Sequence, residues 1–401
     1  MSIRDSRLSG FYKLPLQARQ DEVIARADLP EDAMAILENG GLDAATADRL
    51  VENAVGVYAL PLGLGLNFRI NGRDHAVPMA VEEPSVIAAA SNAARMVREG
   101  GGFFADADEP IMTAQIEVLD VEDAEAARAR IEARSARTLE HANSLMPRMV
   151  ERGGGARGLE VRVARGRDAT PSSRRVVVHL HIDCRDAMGA NLVNTVAEGV
   201  AGPLADLAGG RAGLRILTNL CDRRLVRVKA SVPFSVLAAP NHDGETVASQ
   251  IADASGFAED DPYRAATHNK GIMNGVDAVV IATGNDWRGV EAGAHAFAAA
   301  TGQYRPLARW QVTADSLEGS LEMPMAVGTV GGTLGVHRGA RLAQRILGTT
   351  SATYLGMVIA SVGLASNLAA LRALATDGIQ RGHMACHRRA VAVVATPEAA
   401  E

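Results

Sequence analysis

The spacing of apolar residues shifts several times along this chain, and each spacing predicts a different element. Residues 15–55 read as short polar helices, the last running from Leu42 to Val55 after a Gly-Gly break. Pro61 to Ile70 reads as a strand, Asn71-Gly72 as a hairpin turn, and a second strand reaches Met79. Glu82-Glu83-Pro84-Ser85 opens a helix through Arg98, with Pro84 at the first helical position, and Gly100-Gly101-Gly102 ends it.

From about Ile111 the pattern changes. Met112 to Leu119 alternates as a strand, Val121 to His141 reads as one charged amphipathic helix, and Gly153-Gly154-Gly155 breaks the chain. Leu159 to Ala164 and Arg174 to Asp183 read as strands, the second alternating Val176, Val178, Leu180 and Ile182. Ala190 to Leu207 is a helix with Leu192, Val196, Val200 and Leu204 on one stripe. A last strand comes from Leu214–Leu217 or from Leu225–Val232. The order β-α-β-β-α-β is that of a ferredoxin-like plait. Beyond it the chain returns to long helices of small residues: 246–254, 262–284, 287–301, 339–347 and 352–375. The glycine-rich Gly328-Thr329-Val330-Gly331-Gly332-Thr333 lies between two of them as a loop that approaches a ligand through its backbone. The expected class is α+β: a large, mostly helical body around a central helix, with an inserted split βαβ unit. The expected divisions are 1–110, 111–218, 219–376 and a short C-terminal segment, 377–401.

Composition narrows the class. The 401 residues are 47% hydrophobic with a net charge of −6, which fits a soluble protein with a large core and gives no reason to expect nucleic acid. Cys184, Cys221 and Cys386 show neither CxxC nor metal-ligand spacing, as expected in a reducing cytosol. No apolar leader follows Met1. Leu355 to Leu371, with Ser361, Ser366 and Asn367, reads as a buried helix rather than a membrane span.

The densest chemistry is Pro262-Tyr263-Arg264-Ala265-Ala266-Thr267-His268-Asn269-Lys270-Gly271-Ile272-Met273-Asn274-Gly275. On a helix Lys270 and Asn274 share a face. A buried ammonium there requires a carboxylate or polar ligand. Glu83, at a strand-to-helix junction, and Asp286, in Thr283-Gly284-Asn285-Asp286-Trp287-Arg288, are candidate partners. A helix ending near Gly284 and another starting at Asp286 would fold that carboxylate back towards the lysine. The local alternatives are a helix-start carboxylate for Glu83 and an N-cap for Asp286. Asp186-Ala187-Met188-Gly189-Ala190-Asn191 follows a strand and opens a helix, where backbone N–H groups suit a pyrophosphate. It is not the G-x-G-x-x-G fingerprint, so a Rossmann domain is not indicated. His383 lies beyond the last core helix; His387 follows it, but nothing nearby supplies a third metal ligand, and no metal is expected.

Several separated blocks together resemble the class II, bacterial-type 3-hydroxy-3-methylglutaryl-CoA reductases. They are Glu52-Asn53-Ala54-Val55-Gly56, Pro78 to Ser85, the Asp186–Asn191 turn, His268-Asn269-Lys270-Gly271, the Gly328–Thr333 loop and Gly382-His383-Met384. The likeness runs from about residue 5 to about 395. It implies a four-electron interconversion of HMG-CoA with mevalonate and CoA through mevaldehyde, using two nicotinamides. It also implies that the plait is the dinucleotide-binding domain and that the larger body holds the substrate.

By the same resemblance Lys270 stabilises the oxygen that turns negative, Glu83 moves a proton at the aldehyde stage, Asp286 tunes both, and His383 protonates the departing CoA thiolate. Ser85, Arg264 and Asn274 hold substrate; Asp186, Met188, Gly189 and Asn191 hold the dinucleotide. The Glu52–Gly56 block implies a homodimer, or a higher oligomer of dimers, with an active site shared between subunits. The animal enzymes' membrane anchor is not expected, and a cytoplasmic location is. The sequence after His383 is shorter than the family's usual C-terminal flap, which puts closure of the site in question. Between Asn143 and Val150 no acid is present to repel a 2′-phosphate, and Arg148 is placed to pair with one. Both NAD(H) and NADP(H) are therefore expected to serve, leaning to NADP(H). Two rival classes remain: an enzyme for another acyl-CoA, and a non-catalytic CoA-binding or assembly protein.

Overall fold

The computed structural model describes residues 5–164, 175–240, 242–376 and 378. Three short helices, α1 (Leu16–Arg26), α2 (Ala33–Glu38) and α3 (Ala44–Leu50), precede the hairpin β1 (Leu62–Ile70) and β2 (Arg73–Ala80). Asn71 and Gly72 both take positive φ, 47° and 78°, as a two-residue hairpin turn demands. Helix α4 (Val86–Glu99) begins later than its sequence suggests. Pro84 is outside it, and Ser85 sits at its start with φ 78°.

Strand β3 (Phe103–Ala107) follows the triple glycine, and β4 (Ile111–Leu119) leads into the inserted unit. The single helix expected over 121–141 is broken. It appears as α5 (Ala124–Glu132) and α6 (Ser135–Ser144), followed by α7 (Pro147–Glu151). Strands β5 (Gly155–Ala164) and β6 (Arg175–Asp183), helix α8 (Ala190–Ala208) and strand β7 (Arg211–Leu217) complete the unit. Helices α5 and α6 both pack on β5 and α8, and the chain breaks between them at Ala133-Arg134. Its sheet order is β5-β6-β4-β7, antiparallel throughout, which is the plait's arrangement. A separate core of Ile116, Leu180 and Ile182 from the sheet and Val196, Val200 and Leu204 from α8 fills it.

Of the two candidates for the last strand, the earlier one belongs to the plait. The later, β8 (Leu225–Pro233), joins the large body. There the order is β2-β1-β3-β8-β10-β9, with β9 (Ala308–Val312) and β10 (Ser316–Pro324). This six-stranded sheet is larger than the sequence reading expected, because β9 and β10 are short runs set among long helices. Helices α9 (Phe234–Leu237), α10 (Gly244–Asp260), α11 (Pro262–Ala282), α12 (Trp287–Ala298), α13 (Arg338–Leu347) and α14 (Ala352–Ala375) pack on it or around it.

The pair that positions the site is α11 on α14. A methyl group on Gly275 would lie 2.2 Å from Ser366 Oγ, and one on Gly363 would lie 2.9 Å from Val276 Cγ2. Small residues thus let the two backbones approach, and Val276, Val279, Ile359 and Val362 seal the contact. Helix α14 is long and apolar enough to cross a membrane by composition, with mean hydropathy 1.7. However, 78% of that stretch is buried inside the protein.

Candidate active site

Helix α11 is entered through Asp261, whose carboxylate accepts from Arg264 N, with Pro262 in the first turn. Its polar motif then divides by face. His268 and Asn269 point inward and are buried. His268 Nε2 is 3.1 Å from Ala308 O, and burial pushes its imidazole down to about 4, so it is neutral. Asn269 Nδ2 donates to Tyr304 Oη at 3.0 Å and to Arg305 O at 2.9 Å, and its Oδ1 accepts from Leu307 N at 2.9 Å. These two residues tie α11 to the segment entering β9.

Lys270 turns the other way. Its Nζ lies 3.2 Å from Glu83 Oε2, with 63% of the lysine side chain and 37% of the glutamate exposed. The expected ion pair therefore forms, but on an open surface instead of inside the apolar core. Asn274 lies one turn along the same face. Arg264 is half-buried; burial lowers its guanidinium from the ordinary value, and among the described residues no carboxylate forms a salt bridge with it.

Glu83 is held by the bend between β2 and α4. Ser85, in the left-handed region without being glycine, costs about 1 kcal/mol or more of backbone strain. Both residues border a cleft of about 880 Å³. Its walls are mainly apolar, with Leu8, Leu64 and Ile87 among them, and Arg7, Arg19 and Arg95 line it as well.

Asp286 is not brought to Lys270 within the chain. It follows the far end of α11, about 18 Å from Lys270 along the helix axis. There it caps α12: its Oδ1 accepts from Gly289 N at 3.2 Å. The local alternative is thus the one realised in a single chain, because thirteen residues of continuous helix cannot fold back on themselves. His383 lies outside the described residues.

The Asp186–Asn191 turn opens α8 as expected. Gly189 has φ 101°, and a methyl group there would meet Cys184 Sγ at 2.4 Å, so glycine is required. No side chain caps α8, so its first N–H groups have no side-chain acceptor among the described residues. Asp186 fastens the turn: its Oδ1 accepts from Ala352 N at 2.9 Å and its carbonyl accepts from Thr329 N at 2.8 Å. The glycine-rich loop is therefore seated against this turn, with Ala187 bridging Val330. Met188 is partly buried, Asn191 is exposed, and Arg148 is exposed on α7.

Comparison with known proteins settles the family. The profile described as hydroxymethylglutaryl-coenzyme A reductase matches residues 16–388. The chain is 46% identical over 391 residues to the 3-hydroxy-3-methylglutaryl-coenzyme A reductase of Archaeoglobus fulgidus, covering 97% of this chain and 87% of the relative. The chain belongs to the hydroxymethylglutaryl-coenzyme A reductase family. A probable reductase of Borreliella burgdorferi is 35% identical, covering 84% of this chain and 76% of that one. Among solved structures, the class II reductase of Streptococcus pneumoniae bound to NADPH in open conformations superposes with TM-score 0.87. It is 41% identical, covering 92% of this chain and 99% of that one. Membership makes this an oxidoreductase of α+β fold, with HMG-CoA and mevalonate as the family's substrate and product.

Two groups near the reductase site escaped the sequence reading. Arg224, buried beneath the Asp186–Gly189 turn, donates to Val327 O, Ala187 O and Met188 O. Its only sign in the sequence is a second arginine directly ahead of an apolar strand. Asp277, one turn beyond Asn274, faces Glu291 of α12; burial and that second carboxylate push it up to about 8. Glu291 in turn meets His295 Nε2 at 2.7 Å, and His295 Nδ1 lies 2.7 Å from Tyr304 Oη. No local pattern announces this chain of contacts, because its members are spread from 269 to 304.

Proposed function

We propose that this chain interconverts HMG-CoA with mevalonate and CoA, with Lys270 and Glu83 at the reacting oxygen. The observation that carries the reading is their 3.2 Å contact at the edge of a large cleft. A Lys–Glu pair beside a carbonyl supplies a positive charge for the developing oxyanion and a carboxyl group to exchange its proton. Each reduction takes hydride from a reduced nicotinamide when one is bound. Lys270 holds the oxygen that gains charge, first at the thioester and then at the aldehyde. Glu83 delivers or removes the proton there.

The cleft suits the coenzyme A portion of the substrate. Its volume is in the range of ligand sites, its walls fit the pantetheine chain, and Arg7, Arg19 and Arg95 match the phosphates. Ser85, Arg264 and Asn274 are assigned to the substrate's carboxylate and hydroxyl. Arg264 fits that role as a half-buried cation whose own chain provides it no salt bridge among the described residues. His383 is assigned to protonating the CoA thiolate.

The inserted unit, about 111–218, is assigned to the nicotinamide dinucleotide, held by Asp186, Met188, Gly189 and Asn191. The uncapped start of α8 and the obligatory glycine support it. The relative's NADPH and the absence of acid between Asn143 and Val150 favour use of NADP(H), with NAD(H) accepted too.

Asp286 stands far from Lys270 in one chain, so a second copy is assigned to complete the site. The segment that follows α3 supports a dimer: Val51, Val55, Val57 and Tyr58 are exposed apolar residues between Leu50 and the first strand. The assigned location is the cytoplasm. The test is consumption of NADPH on adding HMG-CoA, with mevalonate and free thiol measured as products. Turnover with another acyl-CoA but not HMG-CoA would overturn the reading, as would binding without turnover.

A further inference from the structure

Arg224 is buried with 4% of its surface exposed, yet no carboxylate forms a salt bridge with it among the described residues. Its guanidinium contacts are backbone carbonyls: Nη2 donates to Val327 O at 2.5 Å, and Nη1 donates to Met188 O at 3.3 Å and Ala187 O at 3.4 Å. Burial pushes the group down from its ordinary value, but arginine keeps its charge in proteins. Enclosing such a cation costs several kcal/mol before compensation, and here the compensation comes from three backbone carbonyls. The charge lies directly under the carbonyls of the turn whose N–H groups face the other way at the start of α8.

The carbonyls come from two bodies. Ala187 and Met188 belong to the turn after β6 of the plait; Val327 belongs to the loop after β10 of the large sheet. The same seam is closed by Thr329 N donating to Asp186 O and by Gly328, where a methyl group would lie 2.5 Å from Met188 N. Cys184 and Cys221 border the guanidinium as neutral thiols, pushed up by burial to about 12 and about 11, and the carboxylates of Asp183 and Asp186 favour its charge from beyond salt-bridge distance.

We propose that Arg224 is a positioning residue for the nicotinamide dinucleotide. Its guanidinium fixes the Asp186–Gly189 turn against the 327–330 loop and places a buried positive charge behind the peptide groups that receive the pyrophosphate. The inference rests on the assignment of that turn to the dinucleotide.

The test compares Arg224→Met, Arg224→Lys, Gly328→Ala and Asn191→Ala in the full-length protein, reading NADPH dissociation by fluorescence and KM for each substrate. Loss of the guanidinium in Arg224→Met should weaken NADPH roughly tenfold or more, the size expected for a buried charged donor. KM for HMG-CoA should stay within about twofold, since the cleft at Glu83 is built by other elements. Arg224→Lys should recover part of the NADPH affinity. Gly328→Ala, which disturbs the same seam without touching the charge, should weaken NADPH selectively too, and it serves as the reporter if Arg224→Met does not fold. Unchanged NADPH affinity in folded Arg224→Met, or in both Arg224→Lys and Gly328→Ala, alongside weakened binding in Asn191→Ala, overturns the role of Arg224. Unchanged NADPH affinity in all four variants overturns the assignment of the turn itself.

Discussion

Lys270 Nζ and Glu83 Oε2 stand 3.2 Å apart although 187 residues separate them in the chain. Neither side chain is buried, and neither is needed to close a core. An exposed ion pair of this kind contributes at most about 1 kcal/mol to stability. The role proposed for it lies in what the pair does to a third group placed beside it.

Lys270→Ala should therefore fold with a near wild-type melting temperature and lose turnover. Losing an oxyanion-stabilising group costs about 3–4 kcal/mol, or roughly 10²–10³ in kcat, and the loss of charge can add to this. Steady-state kinetics with HMG-CoA, beside circular dichroism of the same sample, checks both halves. Turnover within a few-fold of wild type would remove Lys270 from the mechanism.

Asp286 provides a test of the shared site. Lys270→Ala and Asp286→Ala should each be inactive alone. Mixed under subunit exchange they should recover about one quarter of wild-type activity, since half the two-fold dimers are hybrid and one of their two sites is intact. No recovery, with hybrids verified by mass, would place Asp286 outside the partner's site. Val55→Asp combined with Tyr58→Asp should yield inactive monomers by sedimentation.

Reduction of HMG-CoA releases a thiolate, whereas reduction of added mevaldehyde does not. His383→Gln should thus damage the first reaction much more than the second. Equal losses in the two would assign the histidine another task.

Asp277 carries a stability prediction with a definite sign. Its folded value, about 8, lies above that of an unfolded aspartate, so the native protein holds a proton that the unfolded chain releases. This contribution is complete below about pH 4 and is lost as pH rises towards 8 and beyond. Chemical denaturation should show the wild type losing stability over that interval, and Asp277→Asn, a neutral mimic, losing less. Identical pH profiles for the two proteins would show that the proton is not held at Asp277.

Arg148 lies exposed on α7, free to meet a 2′-phosphate at little cost. Arg148→Ala should lower kcat/KM for NADPH by about tenfold, as for one charge-assisted contact, while leaving NADH nearly unchanged. A wild-type preference for NADH above about a hundredfold, near 2.7 kcal/mol, would contradict the reading of this turn.

Where neighbouring residues decide a structure, the sequence alone was enough. The period-two strands of the plait, the Asn71-Gly72 hairpin and the apolar stripe of α8 are all local patterns, and all appear close to their expected places. The family blocks were local too, and they named the chemistry before any geometry was known. What the sequence could not decide was which side of α11 faces which neighbour. His268, Asn269 and Lys270 are consecutive, but their partners at 308, 304–307 and 83 are set by how α11 lies on the sheet and on α14. Strands β9 and β10 do alternate, with Ala308 and Trp310, and Leu317, Leu321 and Met323, facing inward, but each run is short and sits among long helices, so only pairing with β8 through β10 marks them as part of the sheet. Arg224 is the extreme case. A charge before a strand reads as solvent-facing, and only the closing of two bodies around it turns it into a buried cation beneath a turn. Burial of a polar group is a property of the assembled layers, so tertiary structure decides it.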